Sequence, residues 1–146
     1  MVFCVRECFP NSSGPAQHRC ANGGFVEQGL WSVATFELQS GEVETPAVQK
    51  FRETGNNDYR GNADAIADRK RLYASNCIIC HGADGTGKMG PTLVGKDVVY
   101  KQVLTDPGMF SIIYGGASGA MQSFHRRGMK QDEMLRIVAY VRTLEK

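Results

Sequence analysis

The clearest hydrophobic pattern in the chain is a single apolar stripe near its C-terminus. Between Gln131 and Leu144, apolar side chains recur at positions i, i+3, i+4, i+7 and i+10, namely Met134, Ile137, Val138, Val141 and Leu144. This spacing follows the 3.6-residue period of an α-helix that buries one face. We therefore predict a terminal amphipathic helix that packs against the rest of its domain.

A second helix is predicted about sixty residues earlier in the chain. Asn62 is a candidate N-cap for a helix over residues 63–75, which are rich in helix-favouring side chains. Its sparse apolar face consists of Ile66, Leu72 and Tyr73. This helix leads directly into the sequence CIICH.

Glycine interrupts the segment between these two helices. A Gly-rich loop over residues 81–95 excludes long regular structure there. Short helices are predicted at residues 98–104 and 109–114, and Gly115 and Gly116 end the second one. No two segments show the pattern of paired strands, so the predicted fold class is all-α.

Residues 1–61 lack a sustained hydrophobic period, and we predict an irregular N-terminal extension. The extension contains clusters of Gly, Pro, Ser and Asn, with one short strand predicted at residues 30–36 and a polar arm at 45–61. A chain of 146 residues is long enough for one domain plus an extension. The predicted division is therefore an extension over 1–61 and a folded domain over 62–146.

Composition narrows the class of protein. Net charge is only +2, hydrophobic residues make up 42% and charged residues 22%, as in ordinary globular proteins. No apolar run approaches the roughly 18 residues that a membrane-spanning helix needs. The charge is too small to indicate a nucleic-acid partner.

The sequence CIICH, residues 77–81, carries the candidate chemistry. A thiol redox site of the thioredoxin type needs a preceding strand, and a structural zinc site needs further ligands at suitable spacing, so both are disfavoured. CxxCH is the attachment signature of c-type haem: Cys77 and Cys80 lie on one helical turn and can form two thioethers, and His81 can bind the iron. The remaining alternative is two buried cysteines and a loop histidine with no cofactor.

A second axial ligand would come from downstream. Met121 is favoured because it lies in a loop of small residues, Gly115 to Phe124, that can approach a porphyrin closely. His125 is the alternative, although it precedes two arginines and suits a solvated position. The other methionines are disfavoured as core residues or as too near the motif, and include Met89, Met109 and Met134. A thioether on iron would raise the reduction potential relative to two histidines.

These residues resemble the class I c-type cytochromes. The resemblance covers residues 62–146 and rests on Leu72-Tyr73, CIICHG, Gly90-Pro91-Thr92-Leu93, the Gly-Ala-Met loop and Ala139-Tyr140-Val141. It implies three to five helices around one covalently bound haem c. It also implies that the carbonyl of Pro91 contacts the His81 imidazole, and that Tyr73 and Tyr140 meet near the haem. Two departures are Arg69, where many members have Gly at the helix crossing, and Gln122, where Pro commonly follows the ligand.

A narrower resemblance is to the cytochrome cL family, carried by residues 45–66 and above all by PGMFSIIYGGASGAM, residues 107–121. It implies an electron carrier, not an enzyme, in the periplasm. The implied donor is a methanol dehydrogenase dependent on pyrroloquinoline quinone, in its calcium or lanthanide form, and the implied acceptor is a smaller c-type cytochrome or an oxidase. A monomer without a membrane span is expected. The sequence does not support a calcium site.

Two other functions remain open. The first is a generic carrier for another dehydrogenase or an oxidase, and the second is a haem enzyme or gas sensor with an open sixth position. Candidate steering charges for a partner, or merely solvated side chains, are Lys88, Lys96, Lys101, Arg126, Arg127 and Lys130.

The first residues, MVFCVRECFP, lack the apolar core of a signal peptide. Because haem attachment and the implied partner require export, we expect the first roughly 40 residues to be a misassigned start or an unusual extension. Cys4, Cys8 and Cys20 then have no role, unless two of them form a disulfide or, as a less favoured alternative, they bind a metal together with His18.

Overall fold

Helices account for all the regular structure in the described part of the chain. The computed structural model describes residues 36–62 and 66–145, without the side chain of Ile66, and these residues belong to one compact unit. Within these ranges there are five α-helices, one 3₁₀ turn and no strand, so the predicted all-α class is confirmed. The helices are α1 Pro46–Thr54, α2 Ile66–Asn76, α3 Ile78–His81, α4 Asp106–Gly115 and α5 Gln131–Leu144, and the 3₁₀ turn is Lys101–Leu104.

The predicted C-terminal helix is the centre of the core. α5 packs against α1, α2 and α4, and its stripe residues Met134, Ile137, Val138 and Val141 are almost completely buried. Each such side chain contributes about 1.5–3 kcal/mol of transfer free energy on burial. Across the contact with α2, the rings of Tyr73 and Tyr140 lie 5.2 Å apart, as the family resemblance implies.

α1 is the main difference from the prediction. The prediction of a polar arm at 45–61 is wrong over Pro46–Thr54, because these residues form a helix. Thr45 is the N-cap of this helix, and Gly55, in the left-handed conformation, is its C-cap. Only Val48 and Phe51 of this helix are buried, and they pack into the same core as α5. Two apolar side chains give no sustained period, but an N-cap threonine followed by proline is a helix start that could have been recognised.

Several predictions fall outside the described residues. They are Cys4, Cys8 and Cys20, the strand at 30–36 except for Phe36, and the start of the helix predicted at 63–75. Of the short helices, 109–114 is present as the longer α4, whereas 98–104 is reduced to the 3₁₀ turn. The division of the chain at residue 61 stays a prediction.

Arg69 is buried beneath the loop that precedes α2. Only 1% of its surface is exposed, and its guanidinium donates to the carbonyl oxygens of Tyr59, at 2.7 Å, and of Asn62. The side chain therefore turns towards Tyr59 and Asn62, and two backbone oxygens are among the partners of its guanidinium. None of the helices described in 36–62 and 66–145 is long and apolar enough to span a membrane.

Candidate cofactor site

The CIICH sequence forms a single helical turn directly after α2. The backbone N–H of Cys77 still bonds the carbonyl of Tyr73 at 2.8 Å, and His81 N–H bonds the carbonyl of Cys77 at 2.9 Å. Neither Cys77 nor Cys80 forms a disulfide; Cys77 is half-buried and Cys80 exposed, while His81 is buried. One turn of helix thus presents two thiols and an imidazole from neighbouring positions, as haem attachment requires.

The environment of Cys77 disfavours thiol redox chemistry. Burial raises the pKa of its thiol to about 12, and the opposing effect of the positive charge of Arg127 is smaller. Redox-active cysteines have lowered pKa values because the thiolate is the reactive form. The described residues contain no cluster of three or more His, Cys, Asp or Glu side chains that could hold a metal.

His81 is fixed by the loop that follows it. Its Nδ1 lies 2.9 Å from the carbonyl oxygen of Pro91, the contact that the family resemblance implies. Because a carbonyl only accepts, Nδ1 carries the proton, which leaves the lone pair of Nε2 available to a metal. Gly90 lies against the ring, and a Cβ added there would be 2.9 Å from His81 Cε1. The loop therefore needs glycine at residue 90 to approach the imidazole.

An apolar pocket brings the predicted ligands together. Cys77, His81 and Met121 lie in its wall, whereas Cys80 lies on the same turn but outside the lining. The other lining residues are Leu93, Val103, Met109, Ile112, Ile113, Phe124, Ile137 and Val141. The thiol of Cys77, an imidazole with a free Nε2 and a thioether share this apolar lining, and a second thiol lies three residues on at Cys80, so the donor set and the lining fit haem c.

Met121 reaches the pocket from a tight loop after α4. Its carbonyl oxygen accepts from Ala117 N–H at 3.0 Å. Gly116 has φ +85° and ψ −179°, a backbone conformation found almost only in glycine, and a Cβ there would lie 2.7 Å from the Met121 carbonyl oxygen. The loop closure that presents Met121 therefore depends on Gly116.

The structure separates Met121 from the alternative ligand His125. The imidazole of His125 stacks on Tyr114 with ring centroids 4.3 Å apart, and its Nδ1 lies 3.0 Å from Gln39 Nε2. His125 is not part of the pocket wall. Met109, which was expected to be plain core, does line the pocket from α4 and is a second methionine near the site.

Phe124 was not recognised from sequence as a site residue, and Arg127 was predicted only as a candidate steering charge. Phe124 lines the pocket, and the guanidinium of Arg127 lies 4.7 Å from its ring centroid. Arg127 is also near enough to Cys77 to lower the pKa of its thiol. An aromatic residue followed by arginines is common in surface loops, so no sequence signal identifies this pair.

Comparison with known proteins identifies the family of this chain. Residues 64–141, more than half of the chain, match the family described as "Cytochrome C oxidase, cbb3-type, subunit III". The chain therefore belongs to the c-type cytochromes, whose domain carries covalently attached haem c with its iron. The predicted cofactor class is confirmed.

Within that class the chain is similar to cytochrome cL. It is 40% identical over 106 residues to cytochrome c-L of Methylorubrum extorquens, covering 73% of this chain and 53% of that protein. The crystal structure of cytochrome cL from Hyphomicrobium denitrificans matches with a TM-score of 0.65 and 36% identity, over 70% of this chain and 61% of that chain. Cytochrome CL from the marine methylotrophic bacterium Methylophaga aminisulfidivorans matches with a TM-score of 0.67 and 32% identity, over 84% and 75%. The chain spans about half the length of the curated relative it matches.

Proposed function

We propose that this chain is a monohaem electron carrier in which Cys77 and Cys80 would form the thioethers, and His81 and Met121 would both bind the iron. Haem c supplies one iron that accepts and releases a single electron. The observation that carries the proposal is the meeting of Cys77, His81 and Met121 at one apolar pocket.

Pro91 has an orienting role in this proposal. Its carbonyl fixes the Nδ1–H tautomer of His81 and so directs Nε2 to the pocket. If His81 and Met121 both bind the iron, no position on it would remain for a substrate, which favours a carrier over an enzyme or gas sensor. Met121 is favoured over Met109 because a loop of small residues can adjust to the iron, whereas Met109 is fixed and buried on α4.

The proposed donor is a periplasmic methanol dehydrogenase that depends on pyrroloquinoline quinone, and the proposed acceptor is a smaller c-type cytochrome or an oxidase. Support comes from the extent of the similarity to cytochrome c-L. An alignment of 106 residues must begin at or before residue 41, so it includes α1 and is longer than the cytochrome domain matched at 64–141. A generic periplasmic carrier would need to share only the domain.

A surface near the motif suits transient contact with such partners. Ile79 and Met89 are 71% and 77% exposed although both are apolar. The backbone N–H of Lys88 donates to the Cys80 carbonyl at 3.1 Å, and Arg127 is near enough to Cys77 to act on the pKa of its thiol. Neither cation has a salt bridge within the described residues. We propose that these four side chains surround the site of electron exchange, in an interface typically under about 1,200 Å².

The proposal is tested on protein matured in a periplasm. Intact mass should exceed the polypeptide mass by one haem, and the reduced-minus-oxidised visible spectrum should show a thioether-linked chromophore with a low-spin iron. Adding purified methanol dehydrogenase and methanol should reduce the haem rapidly. Slow reduction by that enzyme, with fast reduction by another periplasmic dehydrogenase, would favour the generic carrier.

A further inference from the structure

A short segment upstream of the matched cytochrome domain supports the loop that carries Met121. We call residues 36–42 the brace. Its first side chain, Phe36, packs edge-on against Phe110 with ring centroids 5.1 Å apart and against Tyr114 at 4.7 Å. The brace therefore lies along the end of α4, from which the Met121 loop departs.

Tyr114 connects the brace to that loop. Its hydroxyl accepts from the Glu37 N–H at 3.0 Å and donates to the Glu37 carbonyl at 3.1 Å. On the loop side, the Tyr114 carbonyl accepts from the Ser123 hydroxyl at 2.6 Å and from the His125 N–H at 3.4 Å. One residue thus bonds the brace and the segment that directly follows Met121.

Gln39 makes the direct contact between the brace and the loop. Its side-chain amide donates to the carbonyl of His125 and lies 3.0 Å from His125 Nδ1. Gln39 is itself held, because its N–H donates to one oxygen of Glu42 at 2.8 Å and the other oxygen accepts from Gln131 N–H at 2.6 Å. The first turn of α5 is therefore tied through Glu42 and Gln39 to the loop.

The Met121 loop has few anchors of its own. Ser118, Gly119 and Ala120 are exposed, and no large apolar side chain stands between Gly115 and Met121. The hydrogen bonds that hold this stretch run from Gly116 N–H to the Ile112 carbonyl, from Ala117 N–H to the Met121 carbonyl, and between the hydroxyls of Tyr100 and Ser118, the last of which is exposed to water. Contacts just after Met121 must therefore account for much of the free energy that keeps the loop closed.

We propose that Gln39 is a positioning residue for Met121: its amide holds residues 116–125 closed, so that the thioether stays in the pocket. The inference rests on the proposed function, in which Met121 binds the iron. An exogenous ligand can replace the thioether only when the loop opens, so its apparent affinity is the intrinsic affinity scaled by the open fraction. Any change that weakens the brace raises that affinity without touching the iron site.

The test is a titration of the oxidised, haem-loaded protein with free imidazole, followed by the visible spectrum. Gln39→Leu removes the donor to the loop and should raise the apparent imidazole affinity about fivefold, the factor for one net hydrogen bond. Tyr114→Phe keeps the ring contacts and loses the two hydrogen bonds to Glu37. Because neither of these bonds involves residues 116–125, their effect on the loop is indirect, and a smaller rise in imidazole affinity, about two- to threefold, is expected.

Tyr59→Phe is the matched control. The Tyr59 hydroxyl donates to Asp132 at 2.5 Å and ties the N-terminal part of the unit to α5, with no bond to residues 116–125. The control should lower thermal stability as Tyr114→Phe does and leave imidazole binding unchanged. An unchanged affinity in Gln39→Leu, or an equal rise in Tyr59→Phe, would overturn the inference.

Met121→Ala separates this inference from the proposed function. If Met121→Ala has the same spectrum and imidazole affinity as the natural protein, Met121 is not an iron ligand and the proposed ligand set is wrong. If Met121→Ala changes the spectrum and the imidazole affinity and Gln39→Leu changes neither, the proposed ligand set stands and the positioning role of Gln39 is wrong.

Discussion

The two sides of the pocket are built in different ways. The His81 side is closed by contacts between near neighbours in sequence: the imidazole bonds Pro91, and Gly87 and Gly90 bond the carbonyls of His81 and Cys80. The Met121 side depends on partners far away in the chain, since Tyr114 bonds Glu37 and His125 contacts Gln39. The His81 side is therefore a local motif, whereas the Met121 side is assembled from segments that are distant in the chain.

This difference predicts which side of the pocket has the higher local stability. A local motif forms whenever its own residues fold, because little chain entropy is lost in closing a short loop. An assembled wall opens whenever any of its distant contacts fails, and such regions have low local stability. We therefore expect substitutions on the His81 side to affect haem attachment, and substitutions on the Met121 side to affect ligand exchange.

The largest effect should follow from removing both thiols of the local motif. In Cys77→Ala/Cys80→Ala no thioether can form, so the protein should be colourless after denaturing purification and have the mass of the bare polypeptide. Intact-mass spectrometry checks this result. Cys20→Ala, which removes a thiol outside the motif, should retain the full haem mass, and a loss of haem in this control would contradict the assignment.

Met121→Ala should be the largest change on the assembled side. The haem stays attached through the two thioethers, but the sixth position opens, so the reduced protein should bind carbon monoxide and the reduction potential should fall. Absorption spectra with and without carbon monoxide measure the opening, and a redox titration measures the potential.

Met109→Leu is the control for this substitution because it nearly conserves volume on α4. Should Met109→Leu open the site while Met121→Ala leaves it closed, the ligand is Met109. His125→Ala should give neither effect, because its imidazole is engaged with Gln39 and Tyr114.

The same contrast explains how much could be predicted from sequence. CIICH, Pro91 and the apolar stripe of α5 are short-range patterns, and the structure contains the His81–Pro91 bond and the buried stripe that they imply. The brace was not predictable, since Gln39 and Glu37 are ordinary polar residues whose partners are some 80 residues away. α1 was missed because its buried face has only Val48 and Phe51.

Substitution of two glycines, one on each side of the pocket, allows a matched comparison of the Met121 side with the His81 side, with smaller expected effects than those of the substitutions above. Gly116→Ala places a Cβ 2.7 Å from the Met121 carbonyl in a conformation that only glycine adopts readily. We expect a loss of about 2–3 kcal/mol in unfolding free energy and tighter imidazole binding. Gly90→Ala brings a Cβ to 2.9 Å from His81 Cε1 and should lower stability by about 1–3 kcal/mol, with a changed haem spectrum but little gain in imidazole affinity.

Gly119→Ala isolates the steric part of the Gly116 effect. Gly119 lies in the same loop with φ +91°, but a Cβ there meets no atom within 4 Å. Only the backbone cost, about 1–2 kcal/mol, is therefore expected. Equal losses in Gly116→Ala and Gly119→Ala, measured by chemical unfolding, would show that the close approach to Met121 contributes nothing.

The smallest predicted effect concerns two cations, one from each side of the pocket. Lys88 belongs to the His81 side and Arg127 to the Met121 side, and both lie near the CIICH turn. Oxidation of the reduced protein by ferricyanide, an anion, should slow as salt is added, and Arg127→Gln or Lys88→Gln should lower the rate near 0.1 M salt about two- to threefold. Oxidation by a cationic cobalt complex should change in the opposite sense.

Lys50→Gln distinguishes the local electrostatic field of Lys88 and Arg127 from the net charge of the protein. It also removes one cation, but Lys50 lies on α1, which packs against α5. At low ionic strength the Debye length is long enough for net charge to act, so the comparison is made near 0.1 M salt, where it is about 10 Å. There Lys50→Gln should leave the ferricyanide rate unchanged.

If all three variants slow the reaction equally, electrons do not exchange next to Lys88 and Arg127, and the proposed contact surface must lie elsewhere. If only Arg127→Gln slows it, the Met121 side alone supplies the attraction, and the two sides differ in partner recognition as well as in construction.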